Sequence, residues 1–200
     1  GHGFFVTGTD TGVGKTLIAC ALLQAFVAQG LAAVGMKPVA CGAEPAAGAL
    51  VNDDVERLIA AGNVSAPREH VNPYCFAPPI APHIAAAKTG VTIELDRIEQ
   101  SFRALAARSQ VVVVEGVGGF RVPLGADIDT AELYRPVPSG GFRLVERLVG
   151  VVDQIGPLGP VDRKLRDAAA DRDPSARLRF AARERGRFDR RAYAFGGGES

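Results

Sequence analysis

A nine-residue loop near the start of the chain is the feature that most restricts its fold. Residues 8–16 read Gly-Thr-Asp-Thr-Gly-Val-Gly-Lys-Thr; they follow the apolar residues 4–6 and precede an apolar helical pattern. A glycine-rich turn between a buried strand and a helix directs backbone N–H groups and the positive end of the helix dipole toward one point. Phosphate oxygens bind at such a point, so this order of strand, turn and helix predicts a phosphate-binding loop.

Individual residues of the loop fit this interpretation. Lys15 supplies a positive charge for the β- and γ-phosphates of a nucleotide, and the Thr16 hydroxyl is placed to bind Mg²⁺. At Gly12 and Gly14 a Cβ atom would crowd the phosphate or exclude the required φ. The strict pattern has glycine where this chain has Thr9. A chance Lys-Thr after a glycine-rich turn is therefore the alternative, which the flanking strand and helix disfavour.

Hydrophobic spacing predicts the regular elements. We expect strands at 4–7, 33–36 and 111–115 and helices at 15–29, 53–61 and 92–108, the last capped by Thr92. Gly30 should end the first helix, whose predicted apolar stripe is Leu17, Ile18, Ala21, Leu22 and Phe26. Residues 43–50 are small, and 65–83 contain five prolines, so both predict loops. Later in the chain, 148–152 is a weak strand candidate and 163–191 a basic helix candidate with a thin apolar stripe.

The four valines at 111–114 indicate how the strands are arranged. Such a run is typical of a strand that is buried on both faces, and hence parallel and central. Strands that alternate with helices predict a doubly wound, mainly parallel α/β sheet with helices on both faces, as in P-loop NTPases. Lys37, Cys41 and Glu115 follow or end predicted strands. Ligands bind at the carboxyl edge of such a sheet, so we expect these residues in one site.

Two acids and a lysine are the candidate chemical groups. Glu115 ends a buried strand, where an isolated carboxylate is unfavourable and a metal bound to a triphosphate would provide a partner. Asp54 is a second candidate ligand, although it could equally be, like Asp53, an acid at a helix N-terminus. Lys37 has no acidic neighbour in sequence and could offer its charge to an anionic intermediate. The alternative is a solvated loop lysine.

Five segments together resemble the ATP-dependent dethiobiotin synthetases. They occur in order over about residues 3–133, and the Lys-Pro-Val and Asn-Pro-Tyr segments are not general P-loop features. The segments are FFVTGTDTGVGKT at 4–16, GMKPVACG at 35–42, NDDVERL at 52–58, VNPYCFAPPIAPHIAA at 71–86 and VVVVEGVGGFRVPL at 111–124.

The resemblance implies a reaction and a set of site residues. Members of the family close the ureido ring of dethiobiotin from 7,8-diaminononanoate, CO₂ and MgATP through a carbamate and a carbamic-phosphoric anhydride. By this resemblance Lys37 and Lys15 are catalytic, and Thr11, Lys37 and Cys41 bind substrate. Thr16, Asp54 and Glu115 would hold Mg²⁺. The implied ATP-binding residues are Gly12, Val13, Gly14, Lys15, Thr16, Asp54, Glu115, Gly116, Val117 and Gly118, and the implied assembly is a homodimer.

The last third of the chain departs from this pattern, which predicts a boundary between residues 1–133 and a divergent segment at 134–200. Residues 1–133 carry 9 basic and 13 acidic side chains, whereas 134–200 carry 14 and 9. No asparagine follows Asn72, so the asparagine that recognises adenine in the family has no counterpart. A reading-frame change in a GC-rich gene would produce such a segment. A basic tail for nucleic acid is the rival, which the interspersed acids disfavour.

Three functions follow from these observations. The first is a dethiobiotin synthetase, and the second is an inactive nucleotide-binding relative that has lost the adenine and substrate-carboxylate contacts. The third is a P-loop ATPase of the chromosome-partitioning type, which the acidic Asp10 disfavours because that group has a lysine there. The three cysteines lack metal-ligand spacing, and there is neither a bilayer-length apolar run nor a leader-like pattern. We therefore expect a cytoplasmic protein with no membrane partner.

Overall fold

The computed structural model of the chain describes residues 2–46, 48–133 and 147–151. Within these residues the strands are β1 His2–Gly8, β2 Ala33–Met36, β3 Val39–Cys41, β4 Glu44–Ala46, β5 Ala49–Val51, β6 Tyr74–Phe76, β7 Val111–Glu115 and β8 Arg147–Val151. The α-helices are α1 Lys15–Ala28, α2 Asp53–Ala61, α3 Arg68–Val71, α4 Pro82–Thr89 and α5 Leu95–Ala106. A 3₁₀ turn follows at Thr130–Leu133.

The main sheet has the order β2-β7-β1-β8, and each neighbouring pair is parallel. The valine strand β7 lies between β2 and β1, which confirms that it is parallel and central. Val6 of β1 pairs with Glu115, and Met36 of β2 pairs with Val114. Because the strands run in one direction, the chain leaves β1, β2 and β7 at the same edge, which we call the carboxyl edge.

Alternate residues of the strands are buried under helices on opposite faces of the sheet. Val112 and Val114 contribute to one hydrophobic cluster, which α5 covers with Ile98, Phe102 and Leu105. Val111 and Val113 contribute to the other, which α1 and α2 cover with Ala19, Leu23 and Leu58. Burying one valine side chain fully stabilises the fold by roughly 1.5–3 kcal/mol, so β7 is a major source of stability. The predicted α/β fold with helices on both faces is confirmed.

Helix α1 begins directly after the glycine-rich loop and ends at Ala28; Gly30, with a φ of 77°, terminates it just beyond the C-cap Gln29, as predicted. Its predicted stripe is confirmed only in part: Ile18, Leu22 and Phe26 pack half-buried against the cluster, but they are not its most deeply buried residues. Ala19 and Leu23 face the sheet, whereas Leu17 is 59% exposed. Because α1 is apolar on nearly every side, spacing alone does not select its buried face.

Residues that were expected to form loops take part in two short pairs of strands. Strands β3 and β6 form a parallel pair, and β4 and β5 form an antiparallel hairpin within the segment predicted to be flexible. The proline-rich segment also contains α3 and the first two residues of α4. Pro82 lies in the first turn of α4, where its missing N–H costs no helical hydrogen bond.

Helix α5 begins later than predicted. Its N-cap residue is Glu94, with no capping hydrogen bond from a side chain, so Thr92 is not the cap. Ile93, between Thr92 and Glu94, is 1% exposed and belongs to the hydrophobic cluster that α5 covers. Burial of Ile93 in an extended segment therefore delays the start of the helix.

Beyond residue 133 the description covers only β8, which agrees with the weak strand candidate and pairs with β1. The basic helix predicted at 163–191 lies outside the described residues, and the boundary at 133 stays a prediction. In the part of the chain that the structure describes, no helix is long and apolar enough to cross a membrane.

Candidate functional site

The glycine-rich loop connects β1 to α1 in the conformation that its glycines predict. Gly12 and Gly14 have φ values of 80° and 98°, in the left-handed region that favours glycine. Gly14 is the N-cap of α1, and no side chain caps the helix. The first N–H groups of a helix have no partner within it, so those of α1 are available to a ligand. Val13 lies half-buried between the two glycines.

Lys15 is buried at the start of α1 and folds back over its own loop, where its Nζ donates to the carbonyl oxygen of Asp10. Burial lowers the pKa of Lys15 below its ordinary value, and the positive charge of Lys37 lowers it further. The loop therefore holds a desolvated cation beside the helix N-terminus, which is where phosphate oxygens would lie.

Lys37 follows β2 and bridges two carboxylates. Its Nζ lies 2.7 Å from Asp54 Oδ2 and 2.8 Å from Glu115 Oε1, and the residue is 5% exposed. The sequence shows no acidic neighbour, but the fold supplies two, from 17 and 78 residues away. Lys37 is thus not a solvated loop lysine.

Asp54 is held in place by the start of α2. The Asn52 side chain accepts hydrogen bonds from the backbone N–H groups of Asp54 and Val55 and so caps the helix. Burial alone raises the pKa of Asp54, but the charge and hydrogen bond of Lys37, with help from the Thr16 hydroxyl, outweigh it. The pKa therefore lies below its ordinary value, and Asp54 is a carboxylate at neutral pH.

Glu115 is the most deeply buried acid of the site, at 1% exposed. Its Oε1 accepts hydrogen bonds from the Thr16 hydroxyl and Lys37 Nζ, each 2.8 Å long. Its Oε2 is buried and has no hydrogen-bond partner among the described residues. A buried carboxylate oxygen without a partner is unfavourable, so this atom favours the binding of a cation or donor.

The loop after β7 lies against the phosphate-binding loop. The backbone N–H of Gly116 donates to the Val6 carbonyl oxygen, 2.9 Å away. A Cβ atom at Gly119 would lie 3.1 Å from the Thr9 carbonyl oxygen, and one at Gly118 would lie 4.0 Å from Thr11 Oγ1. Glycines thus allow the loop after β7 to lie against residues 6–11, directly before the nucleotide-binding residues predicted at 12–16.

Comparison with known proteins agrees with this geometry. The AAA domain family matches residues 2–135. The chain belongs to the AAA domain family. The match includes the glycine-rich loop, Lys37, Asp54 and Glu115, and so covers every residue of the candidate site.

Relatives of this AAA domain chain carry one name, ATP-dependent dethiobiotin synthetase BioD. The protein of Nitrosospira multiformis is 48% identical over 153 residues, which are 76% of this chain and 66% of that protein. Those of Aromatoleum aromaticum and Xanthomonas oryzae pv. oryzae are 54% and 51% identical over 132 residues, 66% of this chain and 59% of each relative. The chain thus spans about three fifths to two thirds of the length of these relatives.

Cys41 ends β3 of the AAA domain, and the structure records no side-chain hydrogen bond that joins it to Lys37, Asp54 or Glu115. Its carbonyl oxygen accepts a hydrogen bond from Asn52 Nδ2, 3.3 Å away, which links β3 to the start of α2. Burial raises the pKa of the Cys41 thiol to about 11, so the group is a neutral thiol at physiological pH. Thr11 is exposed in the phosphate-binding loop.

The oxygen atoms at the carboxyl edge of this AAA domain fit a hard cation. Among the described residues there is no group of three or more His, Cys, Asp and Glu side chains suited to a metal. Mg²⁺, however, takes few protein ligands and completes its shell with water and phosphate oxygens. The unpartnered Glu115 Oε2, together with Asp54 and the Thr16 hydroxyl, matches that need.

Two asparagines in this region were missed as contributors to the site. Asn52 was identified only as part of an acidic helix start, and Asn72 only as part of the Asn-Pro-Tyr segment. Each donates its side-chain N–H to a backbone carbonyl of a predicted site residue, Asn52 to Cys41 and Asn72 to Lys37. The sequence could have indicated both, because each is a polar residue at the end of a short element and lies in a segment that resembles the family.

Proposed function

We propose that this chain is an ATP-dependent dethiobiotin synthetase that closes the ureido ring of dethiobiotin from 7,8-diaminononanoate, CO₂ and MgATP. The observation that carries the proposal is the bridge from Lys37 Nζ to Asp54 and Glu115, at 2.7 and 2.8 Å, beside the phosphate-binding loop. Binding of ATP alone requires the loop but not a second buried lysine beside it. A lysine at that position suits the transfer of a phosphoryl group to an anionic acceptor.

In this proposal the glycine-rich loop binds the triphosphate. The N–H groups of residues 12–16 contact the phosphate oxygens, and Lys15 exchanges the Asp10 carbonyl for the β- and γ-phosphates. Burial of Lys15 favours this exchange, since a desolvated ammonium gains most from an anionic partner. Gly116, Val117 and Gly118 line the other side of the nucleotide.

Thr16, Asp54 and Glu115 would hold Mg²⁺. The metal would neutralise charge on the β- and γ-phosphates. In the structure Lys37 already occupies the space between the two carboxylates. A cation held by Asp54 and Glu115 would therefore compete with the Lys37 ammonium for the two carboxylates.

Lys37 and Lys15 together stabilise the reacting anions. One amine of diaminononanoate adds to CO₂ and loses a proton, which gives a carbamate. A carbamate oxygen then attacks the γ-phosphorus, the bond to the β–γ bridging oxygen breaks, and ADP leaves. Next the second amine attacks the carbamate carbon, and phosphate leaves with the oxygen that the carbamate contributed. Lys37 offsets the charge of the carbamate and of the transferred group, and positioning of the reactants supplies the remaining rate enhancement.

Thr11 and Cys41 are proposed to contact the diamine substrate. With a pKa of about 11, the Cys41 thiol is protonated and acts as a weak hydrogen-bonding group rather than a nucleophile. The wider proposal includes a homodimer, as the resemblance implies, and a cytoplasmic location, which the cysteine pattern favours.

Incorporation of ¹⁴C-bicarbonate into dethiobiotin tests the proposal. Purified chain, MgATP and diaminononanoate should yield labelled product, and Lys37→Ala should abolish it. Lys88→Ala is the matched control, because Lys88 is an exposed lysine of α4. Absence of labelled product with the unaltered chain would contradict the proposal.

The second candidate is an inactive nucleotide-binding relative. It is favoured by the absence of any asparagine after Asn72, because the family resemblance implies an asparagine that recognises adenine there. Under this alternative the chain binds ATP but forms no dethiobiotin. Nucleotide titration beside the bicarbonate assay therefore separates the two candidates.

A further inference from the structure

The Asn-Pro-Tyr segment contributes a buried polar side chain that the proposed reaction does not use. Asn72 is 9% exposed and lies between α3 and β6. Its Nδ2 donates to the Lys37 carbonyl oxygen, 2.6 Å away, and to the Tyr74 carbonyl oxygen, 3.0 Å away. Because both partners are acceptors only, the position requires a donor with two hydrogens, which the asparagine amide provides.

The backbone of Lys37 is held on both sides by this segment. Its N–H donates to the Val71 carbonyl oxygen at 2.8 Å, and its carbonyl accepts from Asn72. One residue further along the chain, the Pro38 carbonyl oxygen accepts a hydrogen bond from the Tyr74 N–H, 3.2 Å away. These bonds dock residues 37–38 onto 71–74, ahead of the ladder between β3 and β6.

Lys37 needs such support because it belongs to no regular element. Strand β2 ends at Met36, β3 begins at Val39, and Pro38 has no N–H to donate. A long, flexible side chain reaches a defined point only if its Cα is fixed. The bonds to Val71 and Asn72 fix the backbone on both sides of that Cα, while Asp54 and Glu115 hold the far end of the side chain.

We propose that Asn72 is a positioning residue that sets the location of the Lys37 ammonium for phosphoryl transfer. The proposal rests on the role given to Lys37 under the proposed function. Asn72 itself contacts neither Asp54 nor Glu115 through any recorded hydrogen bond. Its effect reaches the reaction through the Lys37 backbone.

The opposite end of β2 provides a matched control. Asn63 Oδ1 accepts from the Ala33 N–H at 2.8 Å, and its Nδ2 donates to the Leu31 carbonyl oxygen at 3.0 Å. Asn63 thus also joins a loop to the end of β2 by two side-chain bonds, but at the edge away from the site. Asn63 is exposed and Asn72 is buried, so urea unfolding of both variants measures the structural loss separately, and a positional effect on Lys37 should appear only in Asn72→Ala.

Steady-state kinetics on Asn72→Ala and Asn63→Ala provide the first test. A displacement of the order of 1 Å can reduce a rate about 100-fold, so we expect Asn72→Ala to lower kcat by about 10- to 100-fold. The KM for ATP should change less than about twofold, because the phosphate-binding loop is intact. Asn63→Ala should retain kcat. Equal losses of kcat in the two variants would overturn the proposal.

NMR of ¹³Cε-labelled lysine provides a second test that does not depend on the reaction. The chain has four lysines, and Lys37→Arg assigns the Lys37 signal by its loss. We expect the Lys37 signal to shift in Asn72→Ala and to stay unchanged in Asn63→Ala. If the unaltered chain makes no dethiobiotin, the proposed function fails, and this signal still decides whether Asn72 positions Lys37. An unchanged Lys37 signal in Asn72→Ala would overturn the inference.

A variant that keeps the volume of the side chain isolates the contribution of the donating nitrogen. Asn72→Asp has the size of asparagine but replaces the donating nitrogen by an acceptor. It should lower kcat and shift the Lys37 signal at least as much as Asn72→Ala. Retention of both the wild-type kcat and the wild-type signal in Asn72→Asp would show that the donor is not required, and would equally overturn the inference.

Discussion

The two edges of the main sheet are built from opposite ends of the same strands and differ in charge. At the carboxyl edge lie Lys15, Lys37 and Glu115, which are the buried charged side chains among the described residues. At the amino edge neutral groups close the structure. The Gln110 N–H donates to the Ala32 carbonyl oxygen at 2.8 Å, and its side-chain oxygen accepts from the Ala32 N–H at 3.0 Å.

The difference shows which end of the sheet is adapted for binding. Neutral amides satisfy backbone groups at little electrostatic cost, so the amino edge needs no ligand. Buried charges are stabilising only when paired, and at the carboxyl edge the pairing is incomplete at Glu115 Oε2. A structure that keeps unfavourable charges at one edge only is typical of a binding site. The predictions below change one edge at a time.

Removal of Lys37 should have the largest effect. Lys37→Met leaves Glu115 and Asp54 without their cation, and breaking a buried ion pair in this way destabilises proteins by about 3–5 kcal/mol. Loss of one group that stabilises the transition state lowers the rate about 100- to 1,000-fold. Urea unfolding and the bicarbonate assay measure the two effects. The control Lys88→Met should change neither, and a fully stable Lys37→Met variant would contradict the pairing.

Removal of Lys15 should lower the affinity for ATP without lowering the free energy of unfolding. Lys15→Met deletes a charge whose pKa burial lowers, so the unfolding free energy should be unchanged or higher. The affinity for ATP should nevertheless fall, by about 100-fold if the lysine forms one strong charged contact. Calorimetric titration of ATP and urea unfolding check the two parts. If Lys15→Met were destabilised as much as Lys37→Met, the two lysines would not differ in their contribution to stability, and the prediction would be contradicted.

Divalent cations should distinguish the two lysines again. Lys37 occupies the carboxylate pair, so Lys37→Met should bind Mn²⁺ alone more tightly than the unaltered chain, by about tenfold for a gain of about 1.4 kcal/mol. Lys15→Met removes the same charge without emptying the pair, and should have a smaller effect. Electron paramagnetic resonance of free Mn²⁺ measures both. Weaker Mn²⁺ binding by Lys37→Met would refute the competition.

Lowering the pH should remove the stability that Asp54 contributes at the carboxyl edge, and this is the smallest of the predicted effects. The folded-state pKa of Asp54 lies below the ordinary value of 3.8, so its contribution to stability is complete above that pH and is lost as the pH falls further. The urea midpoints of the unaltered chain and Asp54→Asn should therefore differ at pH 6 and converge toward pH 2. Asp53→Asn, which alters the neighbouring exposed acid, is the control. A difference that persists at pH 2 would contradict this sign.

Long apolar patterns predicted the fold well, and short elements escaped prediction. Strand β7 is unmistakable because four valines are buried on two faces. Strands β3 and β6 have three residues each and are separated by 32 residues, so no local period marks their pairing. The hairpin of β4 and β5 consists of small residues whose composition is that of a loop. Tertiary contacts, rather than propensity, form these elements.

The candidate site was predicted as a set of residues but not as a geometry. Loop residues 12–16, Asp54 and Glu115 follow from the motif, the resemblance and the ends of predicted strands. That Lys37 bridges the two acids could not be read from spacing, because the contact depends on how far β2 and α2 approach β7. The role of Asn72 was hidden for the same reason, since its partner lies 35 residues earlier.

Transfer of an oxygen atom tests the central claim, that the carboxyl edge phosphorylates a carbamate. In the proposed reaction the phosphate that leaves at ring closure carries one oxygen from the carbamate, and hence from CO₂. A short reaction with ¹⁸O-labelled bicarbonate, MgATP and diaminononanoate should yield ¹⁸O-containing inorganic phosphate in proportion to dethiobiotin, and Lys37→Met should yield neither. Phosphate without ¹⁸O, released by the unaltered chain while dethiobiotin forms or in its absence, would contradict the account.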